Sequence, residues 1–309
     1  MLVVLTGGTG GAKLIQGLSL EVSPKDLVVV CNTADDFVFH GLHISPDLDT
    51  VTYTLAGIGD ASKGWGIQDD TFVVLEWLEK YGGESWFKLG DRDLATHITR
   101  SRLLREGLRL AEVTERICQA LGVRVTVIPM SDDRVETRVA TPEGEISFQE
   151  YFVKRHWADE VKKVFFAGEK ESRPAPGVLD AIRRAQAVIL CPSNPITSIA
   201  PILSVPGIKG ALQETKAAIV AVSPIIEGAP VSGPADKLMA AMGMEVSAFG
   251  VAKAYADFLD RIVIAPEDEN LKGRIEELGI KASVFPIRMD SLEDKRRVAR
   301  ELLTIVRQQ

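Results

Sequence analysis

The chain opens on an apolar run, Leu2–Leu5, that stops at Thr6 and meets four glycines, Gly7, Gly8, Gly10 and Gly11. A helical spacing of apolar residues, Leu14, Ile15 and Leu18, starts just after Lys13. A strand, a glycine-rich turn and a helix in direct succession constrain the fold more than any other stretch. Residues without Cβ let the backbone reverse sharply, and the bare N–H groups left at a helix N-terminus suit a phosphate. Both standard spacings fail. G-x-G-x-x-G lacks its third glycine, because Gly8-Thr9-Gly10 is followed by Gly11, Ala12 and Lys13. G-x-x-x-x-G-K-[ST] fails because Lys13 follows Ala12 and precedes Leu14. A tight turn without a ligand is the alternative at this point, although so many glycines exceed what a turn needs.

Apolar runs of the same kind recur at Leu27–Cys31, Arg124–Ile128, Val164–Ala167, Ala187–Cys191, Ala217–Val222, Arg261–Ala265 and Ala282–Pro286. They are short, rich in Val and Ile, and mostly without alternation. That is the pattern of strands buried on both faces of a parallel sheet. Helical patterns at Gly177–Ala185, Ala235–Met242, Val251–Leu259, Asn270–Leu278 and Ser291–Gln308 alternate with them. The alternation predicts an α/β fold, a Rossmann-like doubly wound and mostly parallel sheet. Two stretches interrupt it. Residues 49–121 hold helical segments such as Thr71–Tyr81 and Glu112–Leu121 and no good strand. They are expected as a helical insertion between the parts of a nucleotide-binding core, 1–48 and 122–309, and as a contributor to an acceptor site. Val135–Val153 alternates around Pro142-Glu143-Gly144 and predicts a β-hairpin extension, widening the sheet or arming a partner subunit.

With 309 residues, 46% of them hydrophobic, the chain can bury a large core. A net charge of -7 argues against a nucleic-acid partner. An anionic ligand would need local cations, and Lys13, Lys63, Arg92, Arg100, Arg102 and Arg105 are candidates. Cys31, Cys118 and Cys191 are widely spaced, which speaks against disulfides or a structural zinc site. No basic leader precedes the first strand, and no apolar stretch approaches the roughly 20 residues of a membrane span. A cytoplasmic protein away from the membrane is the expectation.

Ligands of open α/β sheets bind beyond the carboxyl ends of the strands. There stand the glycine loop, Asn32-Thr33-Ala34-Asp35-Asp36, Ser131-Asp132-Asp133, Ser193-Asn194-Pro195, Ser223-Pro224 and Glu267-Asp268. Small polar and acidic residues thus converge on one rim. In Ser45-Pro46-Asp47-Leu48-Asp49-Thr50, Asp49 reads as a helix N-cap or as a ligand for a hard cation such as magnesium. Arg92, between Asp91 and Asp93, fits an anion grip or a solvated helix start. His97 reads as a structural histidine or a general base, and Trp65, between Gly64 and Gly66, as packing or a stacking wall. Asn194 and Ser198 follow a strand and precede a helix, as a cap or as ligand contacts.

Taken in order, TGGTG with Lys13, NTADD at Asn32–Asp36, SPDLDT at Ser45–Thr50, LGDRD and ATH at Leu89–His97, MSDD at Met130–Asp133, PSNPITSI at Pro192–Ile199 and the SPII to VSGPA stretch at Ser223–Ala235 resemble the 2-phospho-L-lactate transferase family of coenzyme F-420 biosynthesis. The resemblance implies a magnesium-dependent, homodimeric enzyme. Such an enzyme joins a guanosine-diphosphate-activated three-carbon acid to the deazaflavin alcohol Fo. The ribityl hydroxyl of Fo attacks the phosphorus nearer the acid, and GMP leaves. It further implies donor contacts at Gly7, Gly8, Thr9, Gly10, Lys13, Ser193, Asn194 and Pro195, and Fo contacts at Asp49, Thr50, Trp65 and Arg92. Asp49 and Arg92 would be catalytic, and Asp49, with Asp36 second, would hold the metal. Two other readings remain. One is a nucleotide-sugar-binding regulator sharing the opening GGTG. The other is a nicotinamide oxidoreductase, disfavoured by Asn32 standing where a ribose-binding acid is expected.

Overall fold

The computed structural model describes residues 1–307, so the predicted helix end at Gln308 lies outside the described residues. Seven strands form the central sheet: β1 Leu2–Thr6, β2 Leu27–Cys31, β3 Thr126–Pro129, β4 Ala187–Leu190, β5 Ala218–Val222, β6 Arg261–Ile264 and β7 Lys281–Val284. Their order is β3-β2-β1-β4-β5-β6-β7, and every pair is parallel. This is the Rossmann order 3-2-1-4-5-6 with one further strand.

The lack of alternation in the sequence has a direct cause. Side chains alternate between faces along a strand, and here both faces are dry. Val3, Leu5, Val28, Val30, Val188 and Leu190 enter one apolar cluster, with the helices Val178–Arg184, Ile208–Glu214, Ala235–Ala241 and Ala248–Ala254. Leu2, Val4, Leu27, Val29, Ala187 and Ile189 enter the other. That second cluster also holds Leu14, Ile15 and Leu18 of α1 (Gly8–Glu21), Leu48 and Val51 of α2 (Pro46–Ala56), and Val298 and Leu302 of the C-terminal helix Leu292–Arg307. The helices α3 (Val73–Lys80), α4 (Asp91–Arg105) and α5 (Leu110–Ala120), joined by loops, lie in the predicted helical stretch. Leu110 and Cys118 of α5 join the cluster around α1. A short antiparallel ribbon, Phe37–Phe39 with Leu42–Ile44, precedes α2.

One predicted strand lies in a different sheet. The run Val164–Ala167 is the strand Lys163–Ala167, and it pairs antiparallel with Glu136–Thr141, which pairs in turn with Gly144–Ser147. The predicted hairpin is shorter than Val135–Val153, because Glu150–Lys154 is a helical turn, and it builds a separate three-stranded sheet. Burial explains the difference: Val164 is buried opposite Val139, whereas Lys163 and Ala167 are exposed, so this strand has only one dry face. The pattern around 270–278 also differs, as a 3-10 turn Pro266–Leu271 followed by a short helix Lys272–Glu276. Among the described residues no single helix is long and apolar enough to cross a membrane.

Candidate functional site

The strand order reverses between β1 and β4, and in open α/β sheets ligands bind beyond the carboxyl ends of the strands at such a point. The glycine loop leaves β1 there, and the Pro192–Pro195 turn follows β4. Ser193 joins the two: its Oγ donates to the Gly7 carbonyl at 2.7 Å and accepts from the Gly7 N–H at 3.3 Å. A Cβ at Gly10 would overlap the Pro192 carbonyl, and one at Gly11 would overlap the Thr6 hydroxyl. Gly8 has φ +66°, a conformation that other residues adopt at a cost. The N-cap Gly7 has no side chain to cap α1, and the Gly8 N–H is bonded to the Asp47 carboxylate, so an acid already stands at this helix N-terminus. Thus Gly7, Gly8, Thr9, Gly10 and Ser193 come together. Asn194 takes the capping role: its Oδ1 accepts from Ile196 N at 2.9 Å and from Thr197 N at 3.4 Å, starting the turn Pro195–Ile199. Substituting Gly10→Ala is expected to destabilise the fold by about 1–3 kcal/mol through overpacking. A urea melt matching the parent would show that the loop yields at no cost.

A cavity of about 230 Å³ lies beside α1, and its lining includes Thr9, Lys13, Thr50 and Trp65. Residues expected for the donor and for the acceptor therefore share one space. The loop around Trp65 is tied over α1 by Thr9, whose Oγ1 donates to the Gly64 carbonyl at 3.0 Å. Arg92 does not reach this cavity. It lines a larger neighbour of about 660 Å³, whose wall also includes Ile58, Ile67, Leu103 and Ile117. Gly57 and Gln68 border both spaces, and Arg92 Nη1 donates to the Gln68 carbonyl at 3.3 Å.

Asp47 and Asp49 stand two positions apart at the start of α2, so they project about 200° apart around the helix. Asp47 faces the glycine loop. Asn32 Nδ2 donates to Asp47 Oδ2 at 2.9 Å and to the Thr197 carbonyl at 3.1 Å. Burial, opposed by the Asn32 hydrogen bond and reinforced by the Asp36 charge, pushes the Asp47 carboxyl up to about 7. Burial and the Asp47 charge also push Asp35 well above the usual carboxylate range. Burial raises Asp36 too, although Ser45 donates to its Oδ2 at 2.7 Å and His43 Nε2 lies 3.0 Å from that oxygen. Oδ1 of Asp35 and Oδ1 of Asp36 are buried without a hydrogen-bond partner.

Asp49 faces the other way, into the contact of α2 with α4. The Arg100 guanidinium grips both of its oxygens, Nη1 at 3.1 Å and Nη2 in a closer contact. His97 Nδ1 lies 3.7 Å from Asp49, His97 Nε2 lies 3.2 Å from Asp93, and the Tyr53 hydroxyl donates to Asp93 at 2.6 Å. Asp49, Asp93 and His97 each offer a ligand atom within 4.8 Å of the others. Arg100 occupies that centre with a positive charge, which opposes a cation there. Burial works against the Arg100 charge, but Asp49 outweighs it and holds the guanidinium pKa above its ordinary value. Sequence reasoning singled out Asp49 and passed over Asp47 and Asp35. The two-residue spacing at a helix start already signalled that only one of the pair can face the loop.

Other motifs turn out to hold loops together. Asp91 accepts from Thr71 Oγ1 and from the N–H groups of Val73 and Val74, which caps α3. Asp70 accepts from the N–H groups of Arg92 and Asp93, which caps α4 in return. Asp132 accepts from Ala111 N, and Asp133 from Arg173 N.

A protein of the UPF0052 family from Bacillus halodurans superposes with a TM-score of 0.63 at 17% identity, covering 98% of each chain, which is a likeness of fold. A phosphoenolpyruvate transferase of Kitasatospora aureofaciens is 42% identical over 99% of this chain and 98% of its own. A 2-phospho-L-lactate transferase of Methanosarcina acetivorans is 45% identical over 96% of both chains. The one from Methanothermobacter thermautotrophicus is 44% identical over 98% of this chain and 97% of its own. The model of the family described as 2-phospho-L-lactate transferase CofD matches residues 2–308. The chain, with its glycine loop, its acidic α2 start and its strand-end turns in place, belongs to the 2-phospho-L-lactate transferase CofD family and is a transferase.

Proposed function

We propose that the protein transfers a phosphorylated three-carbon acid from a guanosine-diphosphate-activated donor to the ribityl hydroxyl of Fo, releasing GMP. One observation carries this reading: the glycine-loop residues Thr9 and Lys13 line the same cavity as Thr50 and Trp65. Donor phosphate and acceptor hydroxyl can thus meet beside one helix N-terminus. Phosphoryl transfer depends chiefly on positioning and on neutralising charge. The N-terminus of α1 and the Lys13 ammonium would take the donor phosphates, with Ser193 fixing the loop. Trp65 would wall the acceptor. Arg92 and the apolar neighbouring cavity would take its flat ring system, with the chain passing Gly57 and Gln68. The protein is read as a cytoplasmic homodimer that needs no nucleic acid or membrane.

Magnesium fits the acidic rim. Asp35 and Asp36 each keep a buried oxygen without a hydrogen-bond partner, and Asp47 shares their burial against the phosphate loop. The geometry favours Asp47 and Asp35 as its holders, with Asp36 beside them, over Asp49, both of whose oxygens Arg100 occupies. When bound, the ion would neutralise donor phosphate charge. Asp49 then acts by positioning α2, and with it Asp47 and Thr50.

The test is incubation of the purified protein with Fo, magnesium and each of the lactyl, enolpyruvyl and glyceryl donors, read by mass spectrometry. Relatives named for the lactyl and the enolpyruvyl acid are similarly close, so both donors are essential arms. Absence of product from every donor overturns the proposal. In the same assay Arg92→Ala is expected to raise KM for Fo about tenfold, the loss of one charged contact, and to leave KM for the donor unchanged. An unchanged Fo constant would remove Arg92 from the acceptor site.

A further inference from the structure

A second cation stands in the cavity of the glycine loop, and it comes from the far end of the chain. Lys295 lies on the first turns of the C-terminal helix Leu292–Arg307 and lines the same space as Thr9, Lys13 and Gln16. Thr9, Lys13 and Gln16 follow one another at i, i+4 and i+7, so α1 presents them on one face. The two helices can approach because Gly17 has no side chain; a Cβ there would overlap the Lys295 carbonyl. Lys295 Nζ donates to Gln16 Oε1 at 2.8 Å, which turns the ammonium toward α1.

The charges around this space do not balance. The only acid among the lining residues is Asp60. Asp60 Oδ2 lies 2.9 Å from Lys63 Nζ, and its Oδ1 accepts from the Ser62 N–H and hydroxyl and from the Lys63 N–H. Lys13 and Lys295 therefore both line a cavity whose one carboxylate is already satisfied. Burial, and then the neighbouring Lys13 charge, lower the Lys295 pKa. Like charges brought together at a cost mark a place that is completed by a ligand.

We propose that Lys295 and Lys13 form a two-helix clamp for a phosphate oxyanion, and that Lys295 is a donor-binding residue of the transferase. The cavity of about 230 Å³ lies below the roughly 300–1,000 Å³ of sites that enclose a whole small molecule. It takes the anionic part of a ligand and leaves the rest outside. An ammonium suits this task as a compact charge on a flexible stem that follows a phosphate as it moves. The proposal rests on the transfer reading for the identity of the donor, and on the cavity alone for the anion.

The experiment is calorimetric titration of the full chain with inorganic pyrophosphate, and separately with Fo, for the parent and for Lys295→Ala, Lys295→Gln and Lys295→Arg. Glutamine keeps a stem and a hydrogen-bonding end toward Gln16 but carries no charge. Alanine and glutamine are both expected to weaken pyrophosphate about tenfold, the loss of one charged hydrogen bond. Arginine is expected to restore most of the affinity, and Fo is expected to bind all four proteins alike. Pyrophosphate bound by Lys295→Gln as by the parent would reduce Lys295 to a structural contact and overturn the proposal. An equal loss for Fo would overturn it too. Absence of transfer product with pyrophosphate binding still dependent on Lys295 would defeat the transfer reading and leave the anion clamp standing.

Discussion

Replacing Asp49 with alanine lowers the unfolding free energy by about 3–5 kcal/mol, the loss expected when one partner of a buried ion pair is removed. The size follows from burial: the Asp49 and Arg100 side chains retain only 8% and 3% of their exposure. Without the carboxylate, a guanidinium stays in a dry helix contact, where an unpaired charge is costly. Neighbouring groups cannot replace it. Asp93 already accepts from Tyr53 and faces His97, and Arg100 Nε has no partner even in the intact protein. Urea melts check the prediction. The double variant Asp49→Leu, Arg100→Leu is expected to recover most of the loss, because paired apolar replacements of a buried ion pair are often neutral. A single variant within about 1 kcal/mol of the parent, the worth of a surface pair, would contradict the buried ion pair. Loss of transfer in this variant must therefore be measured per folded molecule. Otherwise a loss of folded protein would be counted as a loss of catalysis.

The central sheet was legible because its strands lie in a setting that leaves a local mark. Both faces are dry, so Leu2–Leu5 and Ala187–Cys191 read as unbroken apolar runs. The run at Val164 carries the same composition but belongs to the side sheet. Its partner Glu136–Thr141 lies well upstream, and the antiparallel pairing leaves no signal within the run itself. The meeting of the glycine loop with the Ser193 turn was legible because each follows a strand, and parallel topology brings such ends to one rim. The acidic pair was only half legible. Helical geometry states that Asp47 and Asp49 diverge, but which of them faces the loop is decided by Arg100, on a helix whose packing no local pattern announces. Lys295 was not legible, since its place depends on the contact of the first and last long helices, and one glycine in α1 is the only trace of that contact in the sequence.

Exchanging Asp47 for asparagine is expected to reduce transfer about a hundredfold or more, the scale of losing a contact to a catalytic cation, while leaving the fold intact. Asparagine keeps the shape and can still accept the bond from Asn32. The same exchange carries a stability signature with a definite sign. Burial raises Asp47 from the ordinary 3.8 to about 7 in the folded chain. The folded state therefore holds a proton that the unfolded state has released. The stabilisation from that proton is fully present below about pH 4, and it is lost as pH rises through 7. For one such proton the slope between those limits approaches about 1.4 kcal/mol per pH unit. Asp35 and Asp36 are raised in the same direction, so the metal-free parent gains stability on acidification from pH 8 to pH 5. Asp47→Asn removes one titrating carboxyl and flattens that rise. Added magnesium protects the parent strongly at pH 8, where the carboxylates are ionised, and weakly at pH 5, where protons hold the same oxygens. Thermal melts at the two pH values, with and without magnesium, read all of this without a substrate. If the variant kept both the slope and the magnesium response of the parent, Asp47 would be a loop contact and no holder of the ion.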